Sequence, residues 1–268
     1  MPILEYPAPH NRYQAFSSAT NKIEGKTLIW RYLTFEKFVW MLETSGLYHA
    51  RLDQLEDRLE GSVTKLFAAN REKEYGSANP HVPSAQAFFN RRGLIRSYVN
   101  CWHSSEHESA AMWKVYSGQN AGVAITSTLD RLYDSVILPP ETEYGLLGPV
   151  EYFDFETHSM KGPTGCMALP GFAKQKSFEF EREVRAMICI NPDPESTTIP
   201  ISPEYLNGLK DKTPLGVVAK AELKQLIAKI YTSPFSQPWF KEIVQNAANR
   251  AGLGDVVYQS SLVVDPIY

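Results

Sequence analysis

"FEFEREVRAMICI", residues 178–190, alternates glutamate with apolar residues and then turns apolar at almost every position. Strand side chains point to opposite faces in turn, so Glu179, Glu181, Glu183 and Arg185 fall on one side. Phe178, Phe180, Val184 and Ala186 fall on the other, with Arg182 as the interruption. The run "VRAMICI" is apolar on both parities, as a strand covered on both faces is. Such a strand needs a sheet on either side, and acids at its start would stand at the mouth of a cleft. The alternative is a half-exposed strand whose glutamates face water and pair with cross-strand lysine or arginine.

Working outward, "TLIWRYL" reads as a strand, Thr34 caps a helix carrying Phe35, Phe38, Val39 and Leu42, and "GLYHARL" is a second strand. A charged helix is expected over 56–75 and another near 85–92. "LIRSYVNCW" reads as a strand leading to a helix in "SSEHESAAMWKVYS", whose Ser105 and Glu108 have capping-box spacing. "AGVAITS", "GPVEYFDF", "TTIPIS", "LGVVAK" and "LIAKIYTS" add β-pattern, and "PWFKEIVQNAANRAG" is an amphipathic helix with Pro near its start and Gly after its end. Helices and strands mix without regular βαβ alternation. The expected class is therefore α+β, a single domain over 27–268 with a curved mixed sheet flanked by helices. Residues 1–26, rich in Pro, Asn and Ser, read as a poorly structured arm laid over it.

The chain has 268 residues, 43% of them hydrophobic, enough to close a core. Lys plus Arg total 27 against 30 Asp plus Glu, a net charge of −3, so no overall basic attraction for nucleic acid or an anionic membrane is expected. No stretch reaches the roughly 18 apolar residues of a bilayer span. Cys101, Cys166 and Cys189 are odd in number and widely spaced, which fits a reducing cytoplasm better than a disulfide scaffold.

Three constellations carry chemistry. In the glutamate row, like charges on one strand face can raise a carboxyl pKa when water is excluded, while Arg185 can keep one carboxylate ionised. In "NCWHSSEHESAAMWKVY", Cys101, His103 and His107 offer zinc-ligand types without a recognised spacing; Cys101 as a small buried hydrophobe is the alternative. Trp113 and Tyr116 suit stacking on a ring or base, or packing in the core. In "IWRYL", Arg31 beside Tyr32 is costly to bury unpaired and must meet an acid, a ligand or water, the candidates including Asp57, Glu60, the glutamate row and a phosphate-bearing ligand.

The segments "IWRYLTFEKFVWMLETSGLYHARLDQLEDRLEG", "YVNCWHSSEHESAAMWKVYSGQNAGVAITS", "KSFEFEREVRAMI" and "IAKIYTSPFSQPWFKEIV" resemble, in order, the bacterial family known as domain of unknown function 2971. That family shows an Asn-Asp-Pro-x-Glu type stretch where this chain has "LEDRLE"; Asp57 and Glu60 fit and Arg58 replaces the proline. The name implies no activity. A second resemblance, confined to three short segments, is to the ADP-ribosyltransferase fold. It would be carried by Arg31, then Ser104 or Ser105 beside His103, then Glu181-x-Glu183, although "HSS" departs from Ser-Thr-Ser and Glu179 leaves the register open. The resemblance implies NAD as co-substrate, Glu183 stabilising the ribosyl cation, Glu181 serving the acceptor, Arg31 holding the pyrophosphate, and Trp113 or Tyr116 stacking on a ring. Arg51 and Glu179 stand as further candidates around this site.

Two other readings compete. One is a metal-dependent hydrolase or nuclease using Asp57, Glu60, Glu181 and Glu183. The other is a non-enzymatic binding module of a defence or stress locus, such as phage defence, with a protein partner on its Trp and Tyr residues.

Overall fold

The computed structural model of the protein describes residues 12–15, 24–75, 81–117, 122–158, 160, 169–192 and 199–263. In chain order these are β1 (Gln14–Ala15), β2 (Leu28–Thr34), α1 (Phe35–Thr44), β3 (Gly46–Arg51), α2 (Lys65–Tyr75), α3 (His81–Arg96), β4 (Ser97–Ser104), α4 (Ala110–Tyr116), β5 (Gly122–Thr128) and α5 (Leu129–Ser135). There follow β6 (Val136–Ile137), β7 (Thr142–Pro149), β8 (Glu151–Phe153), β9 (Ala173–Gln175), β10 (Glu183–Ile190), α6 (Pro203–Lys212), β11 (Gly216–Ala221), α7 (Leu223–Leu226), β12 (Lys229–Thr232), α8 (Phe240–Arg250) and β13 (Val257–Gln259). The class is α+β, as the sequence implies.

The main sheet runs β1-β7-β10-β4-β2-β5-β12-β13, and β8 pairs with β9 apart from it. The β1–β7 and β12–β13 pairs are parallel and the other main-sheet ladders antiparallel, so the sheet is mixed. Where β4 meets its neighbours the sheet forks. Tyr98 and Val99 pair with Arg51 and Ala50 of β3, whereas His103 and Ser104 pair with Trp30 and Ile29 of β2. The Asn100 amide fills the junction by donating to Tyr48 O at 2.8 Å, and its oxygen accepts from the Trp102 indole at 2.7 Å. Beyond β3 the branch continues through β11 to β6.

The two sheet faces differ in kind. One carries the main apolar core, including Ile29, Leu33, Trp102, Ile125, Val184 and Ile188, covered by residues of α1, α5 and α8. The other has an aromatic cluster of Trp30, Tyr32, Met112 and Trp113 and an apolar cluster of Leu52, Val99, Leu146, Phe172 and Met187. Charged side chains lie between those two clusters.

Several local expectations shift. The helix expected over 56–75 begins only at Lys65: Asp57 Oδ1 accepts from Leu59 N–H in a turn, and Gly61 takes φ 68°, a left-handed conformation that ends any helix. The cap of α4 is Ser109, whose hydroxyl accepts from Met112 N–H, instead of Ser105. Thr34 precedes α1 without a side-chain cap bond, and Thr128 caps α5 through Arg131 N–H. In "TTIPIS", residues 199–202 form no strand, because Ser202 caps α6; Thr197 and Thr198 lie outside the described residues. Within the N-terminal arm, Tyr13 is buried in the main core and Gln14–Ala15 pair with β7, so residues 12–15 belong to the fold. Cys101 and Cys189 are free thiols; Cys166 lies outside the described residues. Among the described residues no helix is long and apolar enough to cross a membrane.

Candidate functional site

The glutamate row is not one strand. Lys176–Glu181 form a 3-10 turn, Arg182 adopts a left-handed conformation with φ 41°, and β10 begins at Glu183. In a 3-10 turn residues three apart share a side. Phe178 and Glu181 accordingly both reach Lys174, the ring at 4.9 Å and the carboxylate at 2.5 Å. Glu179 is exposed and joins nothing there, and Phe180 is also exposed instead of completing an apolar row.

Glu183 and Arg185 are two apart on β10 and share a face, opposite His103 and Cys101 of β4 respectively. Arg185, fully buried, donates from Nε to Glu183 Oε1 at 2.5 Å and from Nη2 to Glu183 Oε2 at 3.1 Å and to Glu60 at 2.8 Å. Its Nη1 donates to Gly171 O at 2.8 Å. Lys174 Nζ lies 2.5 Å from Glu181, 3.1 Å from Glu183 and 3.4 Å from Glu60. Tyr116 donates its hydroxyl to Glu181 Oε1 at 2.7 Å, and the Tyr152 hydroxyl accepts from Glu183 N–H at 2.7 Å. Three carboxylates thus surround two cations, leaving a formal charge of −1 in a largely buried network.

The two deeper acids respond in opposite directions. Burial would raise the Glu183 pKa, but Arg185 and Lys174 outweigh it and hold the group at about 2. At Glu60 burial prevails over Arg185, with Glu183 adding repulsion, and the pKa is raised. Burial would also neutralise Lys174, yet Glu183 and Glu60 raise its pKa. The Cys101 thiol, bonded to the Glu183 carboxylate, is pushed well up by burial and by that charge, which keeps it protonated.

His103 stands beside the network. Its Nδ1 lies 2.6 Å from Glu181 O, and since a carbonyl can only accept, Nδ1 carries the proton and Nε2 is the basic nitrogen. Burial lowers the ring's pKa, so the neutral form prevails. The Tyr32 ring packs edge-on to His103 at 6.2 Å and to Trp113 at 5.0 Å. Tyr116 is 40% exposed, Glu181, Lys174 and Glu183 are all buried, and Arg185 is fully enclosed.

Of the residues singled out in the sequence, Glu60, His103, Tyr116, Glu181, Glu183 and Arg185 converge, with Tyr32 against His103. Arg31 does not. It lies on β2 between Trp30 and Tyr32 and so projects to the opposite face, over the Trp102 ring at 5.9 Å. One cleft wall formed jointly by Arg31 and the glutamates is thereby excluded by strand parity. Trp113 is fully buried and its indole donates to Glu108, which makes it core instead of a stacking platform. Ser105 accepts from His107 N–H and, through its carbonyl, from the Trp30 indole, closing the loop after β4. Arg51 is bound to Asp53 and to the carbonyls of Lys210 and Thr213, away from the carboxylates. Asp57 serves its turn, and His107 is exposed. Among the described residues no three His, Cys, Asp or Glu side chains are grouped to hold a metal ion.

Lys174, the hub, and Tyr152 are missed by the sequence reading. The available signal for Lys174 is a lone cation in "GFAKQ", next to residues that pack apolar. Comparison with protein-family models, with curated proteins and with solved structures gives no match.

Proposed function

We propose that the protein is an enzyme that cleaves an N-glycosidic bond of a nucleotide, NAD in the first instance, and passes the ribosyl group to water or to a hydroxyl acceptor. The observation that carries this reading is Glu181. Its two oxygens are held by Lys174 and by Tyr116, which is partly exposed, in a network with one negative charge in excess. A fixed anion is what an oxocarbenium-like transition state requires, and it costs no reorganisation when the cation forms. Glu183, clamped by Arg185, anchors the network instead of meeting substrate, a reversal of the roles suggested by sequence. The basic His103 Nε2 takes the proton of the attacking water or hydroxyl as the C–N bond to neutral nicotinamide breaks and the C–O bond forms.

Metal-dependent hydrolysis has less support, because Lys174 and Arg185 already occupy the space between the acids. A cytoplasmic setting and the lineage of domain of unknown function 2971 accompany this proposal, as does a small nucleotide as ligand. Nicotinamide released from NAD by the purified protein is the test. Glu181→Gln should lower the rate at least about 100-fold with the melting temperature little changed. Turnover by that variant at the wild-type rate, or none by the wild type on NAD or other N-ribosyl nucleotides, would overturn it.

A further inference from the structure

The first part of strand β11 has a neighbour on one side only. Arg51 N–H donates to Leu215 O at 2.9 Å and Ala221 N–H to Ser45 O at 2.9 Å, so the odd-numbered residues of β11 bond towards β3. In an antiparallel ladder alternate residues turn their peptide groups to opposite edges, and Gly216, Val218 and Lys220 therefore face away from β3. On that outer edge β6 pairs Ile137 with Lys220, and Glu222 N–H donates to Ser135 O at 2.9 Å. Continued by two residues, the same register sets Pro139 against Val218. Proline has no N–H to give, and the chain leaves the edge in a turn closed by Thr142 N–H donating to Pro139 O at 3.0 Å. Among the described residues no strand pairs with Gly216 or Val218 on this side.

The open edge borders a cavity of about 950 Å³. Val217 and Val218 line it together with Pro139 and Pro140, so the space begins where β6 turns away. Glu141 and Lys212 line it too. Two residues from each, Glu143 pairs with Arg96 and Lys210 with Asp53. Glu141 and Lys212 are themselves exposed and belong to no ion pair among the described residues.

An edge that presents N–H and C=O groups in a row is a template for a further strand. We propose that β11 receives an extended peptide segment of a protein partner in the place that β6 vacates. The segment bonds to the peptide groups of Gly216 and Val218, sets an apolar side chain in the cavity, and brings a basic residue to Glu141 and an acidic one to Lys212. A second copy of this chain fits less well, because it would carry its own β6 and proline turn into the same space. The surface is separate from the Glu181 centre and does not rest on the glycosidic reading.

The test is amide hydrogen exchange of the full chain, followed by NMR. The probes are the acetylated and amidated pentapeptides Lys-Val-Thr-Val-Glu and Glu-Val-Thr-Val-Lys at millimolar concentration. One of them should slow exchange at the Gly216 and Val218 amides at least about tenfold, with little change at Ala219, which already bonds towards β3. Val218→Pro should abolish the protection of Gly216 and melt near wild type, because the N–H it removes faces the edge and not the β3 ladder. If Val218→Pro does not fold, the same peptides methylated at every amide nitrogen replace it, and they should protect neither amide. No protection by either pentapeptide, or protection that survives Val218→Pro or methylation, would overturn the proposal. So would protection of both amides before any peptide is added.

Discussion

Lys174 has the most consequential environment of any side chain at the candidate site. An ammonium this buried survives only when paired, and here Glu60, Glu181 and Glu183 all lie within 3.4 Å. Removing it would leave three carboxylates with Arg185, and breaking a buried pair by deleting one partner typically costs about 3–5 kcal/mol. Lys174→Met is therefore expected to lower the melting temperature by on the order of 10 °C. The loss should shrink when Glu60→Gln is added, because Glu60 already has a raised pKa and neutralising it relieves the repulsion. Melts of the two single variants and the double test this. A Lys174→Met variant within about 1 kcal/mol of wild type would contradict charge balance as the role of the lysine.

At the scale of elements, the turn before β10 decides what reaches the site. Arg182 at φ 41° reverses the chain between the 3-10 turn and the strand, and its carbonyl accepts from Ser104 N–H at 2.9 Å, which locks the corner onto β4. The same corner sets the Glu181 carbonyl on His103. A non-glycine residue held left-handed costs roughly 1–2 kcal/mol, and a β-branched residue suffers most. Arg182→Gly should accordingly match or slightly exceed wild-type stability and keep the site, whereas Arg182→Val should melt several degrees lower. Equal melting of the Gly and Val variants would show that the left-handed corner is unimportant. This corner is also where sequence reading gives out. Alternation in "FEFEREVR" fits period two, yet Phe178 and Glu181 follow period three, and nothing local in the sequence separates the two because the choice is made by contact with Lys174. Strand parity is reliable within one element, as Glu183 with Arg185 and Trp30 with Tyr32 show. It could not place Arg31 relative to β10, since that depends on the register between β2, β4 and β10. Thus β2, β4, β5 and α8 are legible from periodicity, while the convergence of Lys174, Glu60 and Glu181 depends on long-range packing.

For the whole molecule, the N-terminal segment and the reverse face of the sheet link stability to pH. Arg12 donates to the carbonyls of Tyr133, Asp134 and Val136 at the end of α5, where the helix end favours a cation. Next to it, Tyr13 reaches His49 Nε2 at 2.7 Å while His49 Nδ1 lies 3.0 Å from Leu47 O. The ring is therefore neutral, with its proton on Nδ1 and the Tyr13 hydroxyl donating to Nε2. Burial lowers the His49 pKa to about 3, the Leu47 carbonyl opposes this, and Arg31 reinforces it. Arg31 is itself brought down to about 10 by burial, with Nη1 shut in and unpartnered although the residue as a whole keeps some exposure. Below pH 6.5 the unfolded chain binds a proton at His49 that the folded chain refuses, so stability is complete above that pH and falls as pH drops towards 3. His103, also lowered, adds to the fall with the same sign. Glu183, held at about 2, contributes its own loss only below about pH 4.5, whereas Glu60, with a raised pKa, takes up its proton in the folded chain above pH 4.5 and so opposes the histidines as the pH falls to that value. Between pH 6.5 and 5 the histidines drive the fall, about 1.4 kcal/mol per pH unit for each one fully depressed, and Glu60 reduces it towards the lower end. Urea unfolding across that interval should show wild type losing stability, and His49→Gln, which can still bond Leu47 O and Tyr13, should show a slope shallower by up to about 1.4 kcal/mol per pH unit. Parallel profiles for wild type and His49→Gln from pH 6.5 to 5 would mean that His49 accepts its proton in the folded state, and the coupling of the N-terminal segment to a neutral imidazole would be lost with it.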